Sequence, residues 1–343
     1  MVKQKKLALL GFGNAGQAFA EMLTAKHEKI KEKYGYDVIV TAIATNTKGN
    51  LINPEGIDLT KTLSDLKKCG RFCNENELTD MTTLQIVAEA DYDVAVEMTP
   101  LNIFTGQPAI DHIETAFGRQ KDVITANKGP VAWKFSALKK MAEDKGCKFF
   151  YETTVMDGTP VFNFAEKTLQ LAEVTEVSGI LNSTTNFILE EMAAGTPYDE
   201  IMQRGREMGF VEADPAMDIE GYDAAAKITA LLNVLMDAGI TPDMVDRKGI
   251  EDITVEDIKA AEARGNVIKL LCKGTRNADG TVVATVKPEE VPKSDMLASI
   301  DSTTSVVSIT TDLMKKVSVV EHQPEIEQTA YGVFGDLLRV LSE

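Results

Sequence analysis

Lys6-Leu-Ala-Leu-Leu-Gly11-Phe-Gly13-Asn-Ala-Gly16 decides the fold. A short apolar run stops at a glycine turn, and apolar residues at helical spacing (Ala15, Ala18, Phe19, Met22, Leu23, Ile30) begin at once. Strand, glycine turn and helix is the context in which G-x-G-x-x-G binds a dinucleotide. The glycines let the backbone approach a pyrophosphate, whose charge sits at the helix N-terminus. Gly11, Phe12, Gly13, Asn14, Ala15 and Gly16 are therefore the candidate cofactor turn. The next strand, Val38 to Ala44, should end near the adenine ribose, where NAD-preferring domains carry an acid. Thr45-Asn-Thr-Lys48 follows instead, so the loop suits a 2′-phosphate and favours NADP over NAD, with Lys48 as the contact. A solvated loop cation is the plainer reading of Lys48.

Working outward, Asp93-Val-Ala-Val-Glu-Met98 before Thr99-Pro100, and Asp122 to Ala126 before Asn127-Lys-Gly-Pro130, read as buried strands. Both finish at the carboxyl edge of a parallel sheet, where open α/β folds bind ligands, which puts Lys128 at the nicotinamide end. By spacing alone Lys128 is equally a turn residue. A helix over 135–145 and the run Cys147 to Tyr151 complete the alternation, and Glu152 to Gly158 forms a turn. Beyond it, β-branched runs at 174–181, 281–286, 306–310 and 317–320 alternate with helices, which predicts a mixed sheet with helices packed on it. The expected fold is α/β: a Rossmann-type domain over residues 1–135 plus about 322–343, the amphipathic last helix returning to it, and an α+β domain over 136–321.

At 343 residues two domains are the prior. Fifty-three acidic against 36 basic residues give a net charge of −17, which repels nucleic-acid phosphates and anionic membranes. Cys69, Cys73, Cys147 and Cys272 show no framework spacing, which argues for a reducing compartment and against disulfides. Cys69 and Cys73 lack two further nearby ligands for a metal. The basic, then apolar N-terminus is too short for a signal peptide and nothing reaches the length of a membrane span, so a cytoplasmic protein is expected.

The densest chemistry lies in Gly209-Phe-Val-Glu-Ala-Asp-Pro-Ala-Met-Asp-Ile-Glu-Gly-Tyr-Asp-Ala-Ala-Ala-Lys227. Asp214-Pro215 is a helix-start signal, and Asp223 and Lys227, four apart, share a helix face. The helix runs on through Ile228, Leu231, Leu232 and Leu235. A lysine at its head, ringed by Glu212, Asp218 and Asp223, is a candidate proton donor in a partly dry pocket. The same spacing describes an ordinary salt-bridged helix start. Asn182-Ser-Thr-Thr-Asn186, between a strand and the helix Phe187 to Ala193, supplies caps or polar substrate contacts.

With the glycine turn, Thr125-Ala-Asn-Lys-Gly-Pro130, Gly179-Ile-Leu-Asn-Ser-Thr-Thr-Asn186 and the Gly209–Lys227 element in this order, the chain resembles the homoserine dehydrogenase family over nearly its whole length. The resemblance implies reversible NAD(P)-dependent reduction of L-aspartate 4-semialdehyde to L-homoserine, in threonine and methionine biosynthesis. It also implies a homodimer built through the second domain. On the matching motifs, Lys227 looks like the catalytic lysine, Asp223 its partner and Lys128 the second active-site lysine. Glu212 and Asp218 look like the carboxylates that hold the substrate, Ser183 and Thr184 match positions that touch it, and Thr99 and Gly332 match cofactor positions. A monovalent-cation loop of the family, usually for sodium, matches Glu152, Val155, Asp157 and Thr159, where Asp157 departs from the usual small residue. The family's His-Pro-Leu-Ala segment reads Ser-Asp-Met-Leu-Ala298 here, and a glycine-rich stretch before the last helix is replaced by 321–332. The chain ends after that helix, so an appended threonine-sensing domain is not expected.

Two other readings compete. A semialdehyde dehydrogenase working through a thioester needs an activated cysteine near the nicotinamide, whereas Cys147 and Cys272 lie in apolar runs. A non-catalytic NADP-binding sensor or scaffold would leave the acid-lysine set without a purpose.

Overall fold

The computed structural model describes residues 2–208, 211 and 215–343, and the chain divides into two compact units, Met1–Pro160 with Glu325–Glu343, and Val161–Pro324. The first boundary falls at Pro160, later than the expected 135. The reason is that the helix before it runs into a last short strand of the same sheet.

In the first unit the strands are β1 (Lys3–Leu10), β2 (Tyr36–Ala44), β3 (Asn50–Ile52), β4 (Leu78–Thr79), β5 (Val94–Glu97), β6 (Asp122–Thr125) and β7 (Phe149–Phe150). They form one sheet in the order β4-β3-β2-β1-β5-β6-β7. The β2-β1-β5-β6-β7 portion is parallel, and β3 and β4 add antiparallel at the edge. The order reverses at β1, and the switch point there is the general dinucleotide crevice of such sheets. Helices α1 (Asn14–Tyr34), α2 (Leu59–Cys69), α3 (Thr83–Glu89), α4 (Ala109–Gly118) and α5 (Lys128–Lys145) connect the strands. Side chains of β1 alternate between two cores. Leu7 and Leu9 join Phe19 and Leu23 of α1. Ala8 and Leu10 join Ile86, Ile113, Phe117 and Leu138 on the opposite face. The chain's last helix packs on the α1 side through Val333, Phe334 and Leu337.

The second unit contains α6 (Val161–Thr168), β8 (Val174–Ile180), α7 (Ser183–Ala193), α8 (Tyr198–Glu207), α9 (Ala216–Ile219), α10 (Tyr222–Met236), β9 (Asp246–Arg247), α11 (Val255–Ala263), β10 (Asn266–Arg276), β11 (Val282–Pro292), β12 (Ser305–Thr311) and β13 (Lys315–Glu321). After it, α12 (Ile326–Ser342) belongs to the first unit. The sheet order is β13-β12-β8-β10-β11-β9, antiparallel except for the β11–β9 pair, and so mixed. Helix α10 lies directly on this sheet, because Gly274 of β10 leaves room for Leu232 where a Cβ would overlap it. Three local elements differ from expectation. Helix α5 begins at Lys128 because Asn127 caps it, its side chain accepting from Gly129 N at 3.0 Å, and it kinks at Lys134. Helix α7 begins at Ser183 instead of Phe187, capped by Asn182. The lysine helix is interrupted: α9 ends in a turn at Gly221 (φ +79°), and α10 starts afresh. Asp214, the expected cap, lies outside the described residues.

Candidate active site

The glycine turn closes the first strand against the fifth. Gly11 has φ +93°, and a Cβ on it would overlap the Met98 carbonyl and lie 2.8 Å from Thr99 N, so only glycine fits. A Cβ on Gly16 would sit 2.9 Å from Gly11 O, whereas one on Gly13 would meet open space. Asn14 and Ala15 open α1, and Phe12 is buried edge-on to Phe72 at 5.9 Å between centroids. Lys48 is not merely solvated: its Nζ donates to Phe12 O at 3.0 Å, which holds the cation over the turn at the β2 side. Thr99 stands at the end of β5. Its N–H donates to Glu97 Oε1 at 2.8 Å, its hydroxyl donates to the same oxygen, and its carbonyl accepts from Asn127 Nδ2 at 3.1 Å. Lys128 is the first residue of α5 and half-buried.

In the second unit Asp218, Asp223 and Lys227 gather around Asn182, which the sequence offered as a cap or a polar substrate contact. Asn182 Oδ1 accepts from Thr185 N at 2.9 Å, the N-cap bond of α7. Its Nδ2 donates to Asp218 Oδ1 at 2.6 Å and to Asp223 Oδ2 at 3.0 Å, tying α9 to α10. Lys227 Nζ meets the same Asp223 oxygen at 3.0 Å and donates to Leu181 O at 2.8 Å. Burial raises the Asp218 pKa above the usual carboxylate value, as does the neighbouring Asp223; Asn182, Lys227 and the Thr184 hydroxyl oppose the shift. Thr184 is buried, with its hydroxyl bonded to Asp218, while Ser183 is half-buried in the first turn of α7. Glu212 lies outside the described residues. Cys272, fully buried, has its thiol pushed up to about 12 by desolvation, and burial also raises Cys147. Neither is suited to thiolate attack.

The 152–159 loop packs under α12. Glu152 N donates to Asp336 Oδ2 at 3.0 Å, and Asp157 Oδ1 accepts from Thr329 Oγ1 at 2.5 Å. Val155 is buried, and Thr159 N donates to Met156 O at 2.8 Å. Gly332 is the contact point of helix and loop, since a Cβ there would overlap Thr153 Oγ1 and lie 2.8 Å from Gly158 Cα. Helix-loop packing is sufficient reason for a glycine at this position. Among the described residues no three His, Cys, Asp or Glu side chains gather as metal ligands, and no helix is long and apolar enough to cross a membrane.

Residues 11–152 match the family model of the homoserine dehydrogenase NAD-binding domain, and residues 160–338 match that of homoserine dehydrogenase. The chain belongs to the homoserine dehydrogenase family. The NAD(+)-dependent homoserine dehydrogenase of Pseudomonas canavaninivorans is 32% identical over 336 residues, 98% of this chain and 96% of that one. The homoserine dehydrogenase of Methanocaldococcus jannaschii is 37% identical over 336 residues, 97% of this chain and 98% of that one. A solved structure from Archaeoglobus fulgidus assigned to the same enzyme superposes with a TM-score of 0.86 at 32% identity, covering 98% of this chain and 99% of that chain. The chain is thus an α/β oxidoreductase of this family with a nicotinamide-nucleotide domain. Glu97 and its partner His112 were missed in the sequence, and so was the bond of Asn182 to both carboxylates. Glu97 carried a signal, being a charge at the end of a valine strand that needs a buried partner.

Proposed function

We propose that the protein catalyses reversible reduction of L-aspartate 4-semialdehyde to L-homoserine with a nicotinamide dinucleotide. The observation that carries this reading is the Lys227–Asp223 ion pair, joined by Asn182 to Asp218, whose pKa burial raises. When bound, the nicotinamide supplies or accepts the hydride. Negative charge then builds on the aldehyde oxygen, and a preorganised cation beside it lowers the barrier. Lys227 is assigned to polarise that oxygen and deliver the proton, with Asp223 favouring its charged form. Asp218 and Glu212 are assigned to the substrate's ammonium and hydroxyl, Ser183 to a substrate contact, and Lys128 to orientation and charge. The Gly11–Gly16 turn and Thr99 are assigned to the dinucleotide, and Lys48, with no carboxylate in 45–49, to a 2′-phosphate, which favours NADP over NAD. The experiment is turnover of L-homoserine and of aspartate semialdehyde with each cofactor. Tight NADPH binding without turnover would replace this reading with a sensor or scaffold.

The Glu152–Thr159 loop is assigned to a sodium ion held through main-chain oxygens. Asp157's carboxylate is committed to Thr329, whereas the buried Thr153 Oγ1 has no hydrogen-bond partner. Activity titrated with sodium against choline tests this. We further assign a cytoplasmic homodimer formed through the second unit, for which light scattering should give twice the 37.4 kDa chain mass.

A further inference from the structure

We propose that Glu97 and His112 fix the Thr99 hydroxyl as a pure acceptor aimed at the carboxamide N–H2 of the nicotinamide ring. The inference rests on the reading of a dinucleotide along this sheet edge. Glu97 ends β5 between β1 and β6 and is completely buried, and His112 of α4 is 4% exposed. Neither belongs to the acid-lysine set. His112 Nδ1 lies 2.7 Å from Glu97 Oε2. The other carboxylate oxygen takes both the N–H and the O–H of Thr99. A carboxylate only accepts, so a proton on Nδ1 completes the set.

The consequence concerns polarity. A free threonine hydroxyl rotates to donate or accept as a ligand demands. Here its one proton is given to Glu97, and its carbonyl and N–H are bound as well, by Asn127 and Glu97. Only oxygen lone pairs remain for a ligand. Thr99 N lies beside Gly11, and β5 is on the side of β1 opposite β2. A dinucleotide crossing the switch point with its adenosine toward β2 therefore brings its nicotinamide half to this residue. That half donates through its ribose hydroxyls and its carboxamide N–H2, and Thr99 is assigned to the carboxamide. His112 and Glu97 act through Thr99 and are positioning residues.

The test compares the Kd of NAD or NADP with that of its 3-acetylpyridine analogue, in which a methyl ketone replaces the amide and the donor is lost. Wild type should prefer the natural cofactor by about tenfold, the scale of one hydrogen bond. Thr99→Val should bring the ratio near one, and so should His112→Leu. His112→Asn, whose amide N–H occupies the Nδ1 position, should restore the preference. In the Thr99→Val background His112→Leu should add nothing, a coupling that mere structural damage would not produce. Undiminished preference in Thr99→Val, or in a folded His112→Leu, overturns the inference, as does its loss in His112→Asn. If His112→Leu fails to fold, Thr99→Val and His112→Asn still decide. Wild type binding neither NAD nor NADP would overturn the proposed function itself.

Discussion

Replacing Asn182 by serine removes its bonds to two carboxylates and keeps its cap. Serine caps a helix about as well as asparagine, so the bond to Thr185 N survives and folding stability should change by only a few tenths of a kcal/mol from the cap itself. The lost bonds, at 2.6 Å to Asp218 and 3.0 Å to Asp223, go to charged groups and stabilise by about 1.5–3 kcal/mol each. Asp218 is already raised by burial and by Asp223, and Asn182 is a group that opposes the rise; its loss drives Asp218 further up. A carboxyl whose folded pKa exceeds its unfolded value binds its proton more tightly when folded. Its ionisation therefore costs stability as pH rises through the carboxylate range, and this cost should be larger in the serine variant at neutral pH and fade on acidification. If ionised Asp218 holds the substrate, the acid limb of kcat/KM for homoserine should move to higher pH. At a fixed pH on that limb the loss should be roughly tenfold or more. Among the described residues, Asp223 and Lys227 are the charged groups acting on Asp218. The assay is the pH profile of Asn182→Ser and Asn182→Ala beside their thermal unfolding. An unmoved acid limb in Asn182→Ser, with loss of activity only in the less stable alanine variant, would reduce Asn182 to a cap and refute the reasoning.

Lys227→Met should lower kcat by about 10²–10³, the scale of one lost electrostatic donor, and leave cofactor Kd unchanged; near wild-type turnover would remove it from the chemistry. Gly11→Ala and Gly13→Ala should separate by mechanism. The first forces φ +93° and a backbone overlap on a side chain and should lower thermal stability, while the second meets open space and should fold normally but weaken dinucleotide binding. For Lys48→Ala, the NADP-to-NAD preference in kcat/KM should fall by about tenfold; an unchanged ratio would return Lys48 to its bond with Phe12 O alone.

The glycine turn was legible in the sequence because its requirement is steric and local. Gly11 has no substitute at its φ beside the Met98 carbonyl, and the strand before it and helix after it are written in apolar spacing. The Asp223–Lys227 pair was legible for the same reason, since four residues on a helix settle the contact. The break at Gly221 was overlooked although a glycine stood there to be read. What the sequence hid is long-range: Asn182 reaches 36 and 41 residues ahead for its carboxylates, and His112 lies one helix away from Glu97. Gly332 has a long-range reason of the same kind, since it lets α12 touch the 153–158 loop.

Asn182 also explains why an amide and not a cation joins these acids. Asp218 and Asp223 repel one another, and Asp218 is costly to ionise where it is buried. A lysine at 182 would neutralise them, but it would also occupy the negative charge that an ammonium-bearing substrate needs and compete with Lys227 for Asp223. The asparagine amide gives one N–H to each carboxylate and adds no net charge. The pair is held together while its charge stays available, with Lys227 tied to one side through Asp223. On the proposed reading, that leaves Asp218 as the carboxylate for the ammonium and Asp223 as the anchor of the proton donor.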